Sequence, residues 1–317
     1  MKKKQNRKYE ECNPMIKTFD KVLNTAKSQG MKIVVVAVAQ DEPVLEAVRD
    51  AKKNGIANAI LVGDKEKIIS IASSIGMDVE EFEIIDEKDV KKAALTAVQI
   101  VSTGKADMLM KGLLETSTFL RAVLNKEVGL RTGKQMSHVA VFEVPSYDRL
   151  IFLTDAAFNM YPELKEKIDI INNSVAVAKA CGVELPKVAA VCAVEVVNAN
   201  MPATLDAAML SKMNDRGQIK GCIVDGPLAL DIAISEEAAR HKKVGGQVAG
   251  KADILLMPNI EAGNVMYKCL NYTTKSKSGA ILVGTSAPVI LTSRADTPET
   301  KLNSIALAAL VAEYNKH

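Results

Sequence analysis

The sequence predicts an α/β protein of two doubly wound domains, and three observations carry that prediction. Short runs rich in Val, Ile and Leu recur along the chain without polar alternation, as strands buried on both faces do. Helix-like segments separate most of them, the pattern of parallel strands joined by crossovers. In the C-terminal third, three apolar runs end in polar-and-glycine clusters, which read as strands feeding helix N-termini. The clusters are Asp225-Gly226-Pro227, then Pro258 through Asn264, then Thr292-Ser293-Arg294-Ala295-Asp296. Ligands of open α/β sheets sit at strand carboxyl ends, so anionic groups are expected at these clusters.

Element by element, a strand at 32–39 precedes a helix at 43–54, and a strand at 58–64 precedes a helix at 65–75. A strand at 81–85 leads to a long helix at 88–102, and a strand at 106–112 leads to a helix at 117–124 with Ser117 as its N-cap. The pattern changes after Gly133. Runs at 137–144 and 149–155 are separated only by Pro145-Ser146-Tyr147-Asp148. That connection is too short for a crossover helix, so the pair is predicted antiparallel. Strands at 187–194, 219–226 and 252–259 follow, in a second α/β domain beginning near residue 134. A helix at 298–314 ends the chain.

Composition narrows the class. The 317 residues are 48% hydrophobic and 25% charged, in the range of a globular protein with room for two cores. A net charge of +3 makes no case for nucleic acid as the main partner. No apolar run reaches the ~18–20 residues of a spanning helix. Residues 1–14 are basic without a following apolar segment, and read as a disordered leader or expression remnant, with Met15 an alternative start. Cys12, Cys181, Cys192, Cys222 and Cys269 have no CxxC spacing and read as buried thiols of a reducing cytoplasm. His138, His241 and His317 are too scattered to suggest a zinc site.

Two constellations need weighing. Gly245 to Lys251 fits the GxxxxGK spacing, but a helix-like stretch precedes it, Ala252 follows the lysine, and a strand comes next. A nucleotide P-loop needs the reverse order and a Ser or Thr after the lysine, so a helix end and turn is the better account. Ser293-Arg294 follows a β run and precedes a strong helix start, with Thr297 as N-cap and Pro298 at N1. A helix N-terminus attracts anions and Arg294 adds a planar fork suited to phosphate. The plain alternative is a capped helix with a surface arginine.

Asp225 through Asp231, the stretch 252–268 with Ala262-Gly263-Asn264 and Tyr267-Lys268, and Ser293-Arg294 together resemble the phosphate acyltransferase family. That family includes phosphate acetyltransferase and phosphate butyryltransferase. The resemblance is closest to the butyryl branch and runs from about Met15 to the C-terminus. It implies a fold like that of the isocitrate/isopropylmalate dehydrogenases, with domain one made of 15–133 plus 292–317, domain two of 134–291, and the active site in the cleft between them. It implies an exchange of butyryl-CoA and phosphate with butyryl phosphate and CoA. No permanent cofactor or metal is implied, and the partners are acyl-CoA and phosphate, in a cytoplasmic homodimer or higher oligomer.

Residue by residue, the family's matching Ser-Arg pair lies beside the reacting thiol and coenzyme, which assigns Ser293 and Arg294. Leu120-Arg121 matches a stretch whose arginine points at the phosphoryl group. Thr154 through Pro162 resembles a strand-end motif, giving Asp155 and Asn159. Lys111, Thr116, Asp225, Gly226, Pro227, Asn259, Gly263, Asn264, Lys268 and Ser286 complete the expected binding set. The chain departs from the acetyl branch, which has Gly-Cys where Ala295-Asp296 stand. The acetyl branch's catalytic aspartate aligns with Thr300, which is no effective base near neutrality, so Asp296 and Glu299 become the candidates. No G-x-S-x-G elbow exists, and direct attack in a ternary complex is expected. Three alternatives stand beside this reading: a phosphate acetyltransferase, a decarboxylating dehydrogenase, and a non-catalytic sensor of CoA esters. The dehydrogenase would need clustered metal-binding aspartates and a G-x-G-x-x-G after a strand.

Overall fold

The computed structural model describes residues 15–293 and 296–316. The expected leader, Cys12, Arg294, Ala295 and His317 lie outside the described residues.

The first half follows the expected alternation. Strands β1 (Lys32–Ala37), β2 (Ala57–Gly63), β3 (Glu83–Asp86) and β4 (Met108–Lys111) are parallel. Between them run α2 (Glu42–Lys53), α3 (Lys65–Ser74) and α4 (Val90–Ser102), preceded by α1 (Phe19–Ser28). The starts are chemically marked: Asp64 and Asp89 accept from the backbone N–H groups of Lys67 and Lys92, and Pro43 stands in the first turn of α2. Helix α5 spans Thr116–Val123 with Glu115 as its N-cap. Ser117 therefore lies inside the helix and does not cap it.

The second half contains β5 (Ser137–Glu143) and β6 (Leu150–Thr154), paired antiparallel as the short connection predicts. Then come α6 (Leu164–Ala180), β7 (Lys187–Cys192), α7 (Pro202–Asp215) and β8 (Ile223–Ala229). Short helices α8 (Leu230–Ile234) and α9 (Glu236–His241) lead to β9 (Ile254–Leu256) and α10 (Ile260–Thr273). The chain ends with β10 (Lys277–Val283), β11 (Val289–Ile290) and α11 (Pro298–Tyr314). The glycine-rich 245–251 segment is a loop between α9 and β9, as its surroundings required.

The eleven strands of the described residues form one sheet in the order β3-β2-β1-β4-β11-β10-β5-β6-β9-β7-β8. Strand β10 is absent from the sequence-based reading. Its Ser278-Gly279 pair breaks the apolar pattern, and the small residues serve packing: a Cβ on Gly279 would lie 3.1 Å from the α11 backbone at Asn303 and Ser304. The Ser304 hydroxyl accepts from the Ala280 N–H, and Asn303 donates to the Ser278 carbonyl. Helix α11 is apolar on nearly every face, so it runs as a buried rod against α1, α2 and β10.

Strand direction corrects one expectation. β4 and β11 run parallel, β10 and β11 antiparallel, β10 and β5 antiparallel, and β5 and β6 antiparallel. Because β9, β7 and β8 run with β6, their carboxyl ends face the edge opposite to that of β4 and β11. The clusters after β9 and β11 thus stand at opposite ends of the sheet. The third, Asp225-Gly226-Pro227, is part of β8 and does not follow it.

Candidate active site

The sheet order reverses between β1 and β4, the kind of switch point that opens a crevice at strand ends. At β1 the chain leaves through Val38, which holds φ of 58° although it is β-branched. Such a residue is strained there, and surrounding contacts must hold it. They come from the end of β4: the N–H of Gly112 donates to the Ala37 carbonyl at 2.9 Å, and that of Leu113 donates to Val38 at 2.8 Å. A Cβ on Gly112 would collide with the Val38 carbonyl oxygen. This clamp fixes Lys111, buried at the end of β4, and leads into α5.

A cavity of about 330 Å³ opens here, lined by Lys111, Leu114, Glu115, Thr116, Thr292 and Ser293. Three expected site residues therefore meet: Lys111 and Thr116, from the end of β4 and the start of α5, and Ser293, far from both in sequence. The turn that carries Ser293 is organised from below. Its N–H donates to the Asp296 carboxylate at 2.7 Å. Lys301, only 2% exposed, donates its ammonium to the carbonyls of Asp296 at 2.6 Å and Ser293 at 3.2 Å. Burial pushes the Lys301 pKa down, and the charges of Asp296 and Asp41 oppose that shift. Thr297 caps α11 as expected, accepting from the Thr300 N–H. The sequence reading missed Lys301. Its signal was a lysine opening a helix too apolar to leave a polar face.

Asp155 and Asn159 form a different kind of structure. Asp155 is 3% exposed, and its carboxylate accepts from the N–H groups of Ala157, Phe158 and His138 and from the Asn159 amide. Asn159 also donates to the Met136 carbonyl and accepts from Gln135. Helix α10 closes on this knot through Gly263, where a Cβ would collide with the Asp155 carbonyl, and through Asn264, whose amide donates to Ala156. The structure brings these four residues together, with Asp155 and Asn159 bonded to each other and Gly263 and Asn264 packed on the chain at 155–156.

The remaining candidates are spread out. Asn259 caps α10 by accepting from Ala262. Lys268, on α10, holds its ammonium 5.7 Å from the centre of the exposed Tyr272 ring. Arg121 is exposed in the last turn of α5. Glu299 is exposed beside Lys277 at 3.9 Å. Asp225 accepts from the Gly226 N–H, and Gly226 lies close against Ala190 and Ala207, so this segment serves the packing of β8 on β7 and α7. Ser286 donates its N–H to the Leu130 carbonyl in the loop before β11, at the strand end opposite to Ser293.

His138 belongs to no metal-binding group, since no cluster of His, Cys, Asp and Glu among the described residues could hold a metal ion. It is instead a buried residue of β5, stacked edge-on to Tyr267 at 5.9 Å. Burial pushes the Tyr267 hydroxyl up to about 12, and the Asp296 charge adds to the shift. No described helix is long and apolar enough to cross a membrane.

Comparison with known proteins places these features in context. Residues 17–94 and 87–309 match the phosphate acetyl/butaryl transferase family. The chain is 76% identical to the phosphate butyryltransferase of Clostridium acetobutylicum over 298 residues, covering 94% of this chain and 99% of that one. It is 68% identical to the phosphate butyryltransferase of Clostridium beijerinckii over 302 residues, covering 95% of this chain and all of that one. Among solved structures, a branched-chain phosphotransacylase from Enterococcus faecalis superposes with a TM-score of 0.80 at 34% identity, covering 89% of this chain and 99% of that one.

Proposed function

The chain belongs to the phosphate acetyl/butaryl transferase family, and from that premise we infer that it is an acyl-CoA:phosphate acyltransferase acting on butyryl-CoA. The observation that carries the reading is the cavity joining Lys111, Thr116 and Ser293 in a chain 76% identical to a phosphate butyryltransferase. The reaction interconverts butyryl-CoA and phosphate with butyryl phosphate and CoA by direct attack in a ternary complex. Lys111 and the N-terminus of α5 at Thr116 supply positive potential for the phosphate. Ser293 positions the sulfur or donates to the oxyanion of the tetrahedral intermediate. Arg121 and Arg294 neutralise the phosphoryl group, and Asp296 or Glu299 serves the thiol proton, since thiolate is the nucleophile.

The same reading takes domain one as 15–133 plus 292–317 and domain two as 134–291, arranged as in the isocitrate/isopropylmalate dehydrogenases with the site between them. It takes the working form as a cytoplasmic homo-oligomer. The substrates are the only cofactors it requires.

The test is thiol release by the purified protein from phosphate and a series of acyl-CoAs. A methylene in an apolar pocket is worth about 1–3 kcal/mol, so butyryl-CoA should exceed acetyl-CoA by roughly a hundredfold in kcat/KM. Equal constants would remove the butyryl assignment and leave the acyltransferase. No release from any acyl-CoA, with binding retained, would favour a sensor of CoA esters.

A further inference from the structure

Lys301 lies near the start of α11, ahead of residues 303–312, all of which are buried. Burying a cation costs free energy unless hydrogen bonds compensate it. At 2% exposure the side chain is sunk beneath the turn, and it is not part of the cavity wall. Its ammonium donates to the carbonyls of Asp296 at 2.6 Å and Ser293 at 3.2 Å. The same turn is closed by the Asp296 N–H, which donates to the Ser293 carbonyl at 3.2 Å, and by the Asp296 carboxylate, which accepts from the Ser293 N–H at 2.7 Å. Lys301 thus grips both ends of the turn whose first residue lines the cavity. Satisfying those carbonyls does not require a lysine. Ser293 is exposed and Asp296 half-buried, so water can reach the turn. Water cannot tie the turn to a helix that is packed against β10, α1 and α2.

We propose that Lys301 is a positioning residue for acyl transfer: through two backbone carbonyls it anchors the Ser293 turn to the buried helix α11 and so holds Ser293 in register with Lys111 and Thr116. This rests on the acyltransferase reading. The need for such an anchor follows from the sheet. Lys111 is placed by the sheet itself, as a strand residue paired with Ala37. Strand β11 ends at Ile290, three residues before Ser293. Ser293 therefore takes its position from contacts beyond the sheet, and Lys301 supplies two that reach the turn from the rigid side. Lys301 touches no substrate, and its effect passes through the backbone of the turn. Precise placement matters because a shift of about 1 Å at a reacting group can cost about a hundredfold in rate. A buried lysine kept for placement is a charge that the fold carries without needing it, so its removal separates activity from stability.

The test uses K301M in the full-length protein. Methionine fills similar space without a buried charge, so the melting temperature should equal or exceed that of wild type. In the same variant kcat for acyl transfer should fall about 10- to 100-fold, with smaller changes in KM for CoA and phosphate. Hydrogen exchange reads the turn directly: the segment 291–297 should exchange faster in K301M while the rest of α11 keeps its wild-type protection. K301Q retains an N–H donor, so its kcat should fall between the two. A folded K301M with wild-type kcat overturns the proposal, and so does unchanged exchange in the turn. A lower melting temperature with faster exchange throughout α11 also overturns it, since that is the outcome of a purely structural role. If K301M does not fold, K301Q carries the same kinetic and exchange readings. If the wild-type protein turns over no acyl-CoA, the acyltransferase reading fails, while exchange still reports whether Lys301 holds the turn.

Discussion

Asp155 and Ser293 both stand past the carboxyl ends of buried strands. Their surroundings differ completely. Asp155 is sunk in the protein and accepts four hydrogen bonds from its own chain. Ser293 is exposed at the mouth of a cavity, in a turn held from beneath by Asp296 and Lys301. One region spends its polar groups on itself, and the other presents them outward. A carboxylate saturated by internal donors has little left for substrate, whereas Ser293, held through its backbone N–H, lines a cavity that a ligand can enter. The knot at Asp155 sets where α10 lies, and α10 carries Tyr267 and Lys268.

The contrast breaks most sharply through stability. Asp155→Ala leaves buried donors without an acceptor, at about 1–3 kcal/mol for each one stranded, so the total loss should reach about 3–5 kcal/mol. Gly263→Ala presses a methyl group on the Asp155 carbonyl and should cost about 1–3 kcal/mol. Denaturant unfolding measures both. Asp155→Asn keeps the shape and some acceptors. Activity lost from a fully stable Asp155→Asn enzyme would place that carboxylate on the substrate and erase the distinction.

Ser293→Ala should behave in the opposite way. The change removes one exposed hydroxyl, so unfolding free energy should stay within about 0.5 kcal/mol of wild type. If the hydroxyl acts on the transition state, kcat should fall about 10- to 100-fold with a smaller change in KM. Steady-state kinetics beside a melting curve separate the cases. A lower melting temperature with normal kcat would make Ser293 another structural residue and turn attention to Lys111 and Thr116.

Much of the fold was legible because buried parallel strands cannot alternate, and runs such as 32–39 and 58–64 read plainly. Strand β10 was not, since Ser278 and Gly279 answer to the nearness of α11 and not to strand patterning. Among the candidate site residues, Lys111, Thr116 and Ser293 line one cavity. Sequence did not separate the saturated Asp155 from an open carboxylate, because its four donors come mainly from backbone N–H groups that carry no residue signature. Gly263 signalled a close approach, and the structure identifies what approaches: the chain at Asp155 and Ala156. Lys301 was within reach of a physical argument. A helix apolar all round must bury whatever polar residues it contains, and these must then find partners. Asp225 and Ser286 stand apart from Ser293 because strand direction, which local pattern does not encode, sends their chain ends elsewhere.

The smallest effect is expected at Lys268, which belongs to neither extreme. It is exposed on α10, with its ammonium 5.7 Å from the centre of the Tyr272 ring, a contact worth about 0.5–1 kcal/mol at a surface. Lys268→Met keeps the aliphatic stem and removes the charge, so stability should change by less than about 0.5 kcal/mol. If the ammonium meets a CoA phosphate, the lost contact is a solvent-exposed one, worth about 0.2–1 kcal/mol. That corresponds to a rise in KM for CoA of about 1.5- to 5-fold with kcat unchanged. Salt sharpens so small a difference. An exposed charge pair is screened at high ionic strength, so wild type and variant should converge as salt is raised toward about 1 M, where the Debye length is about 3 Å. A ratio that stays constant across salt would mean that Lys268 acts through packing on Tyr272. A KM equal to wild type at low salt would return Lys268 to an ordinary surface lysine, leaving the cavity at Ser293 as the region that recognises substrate.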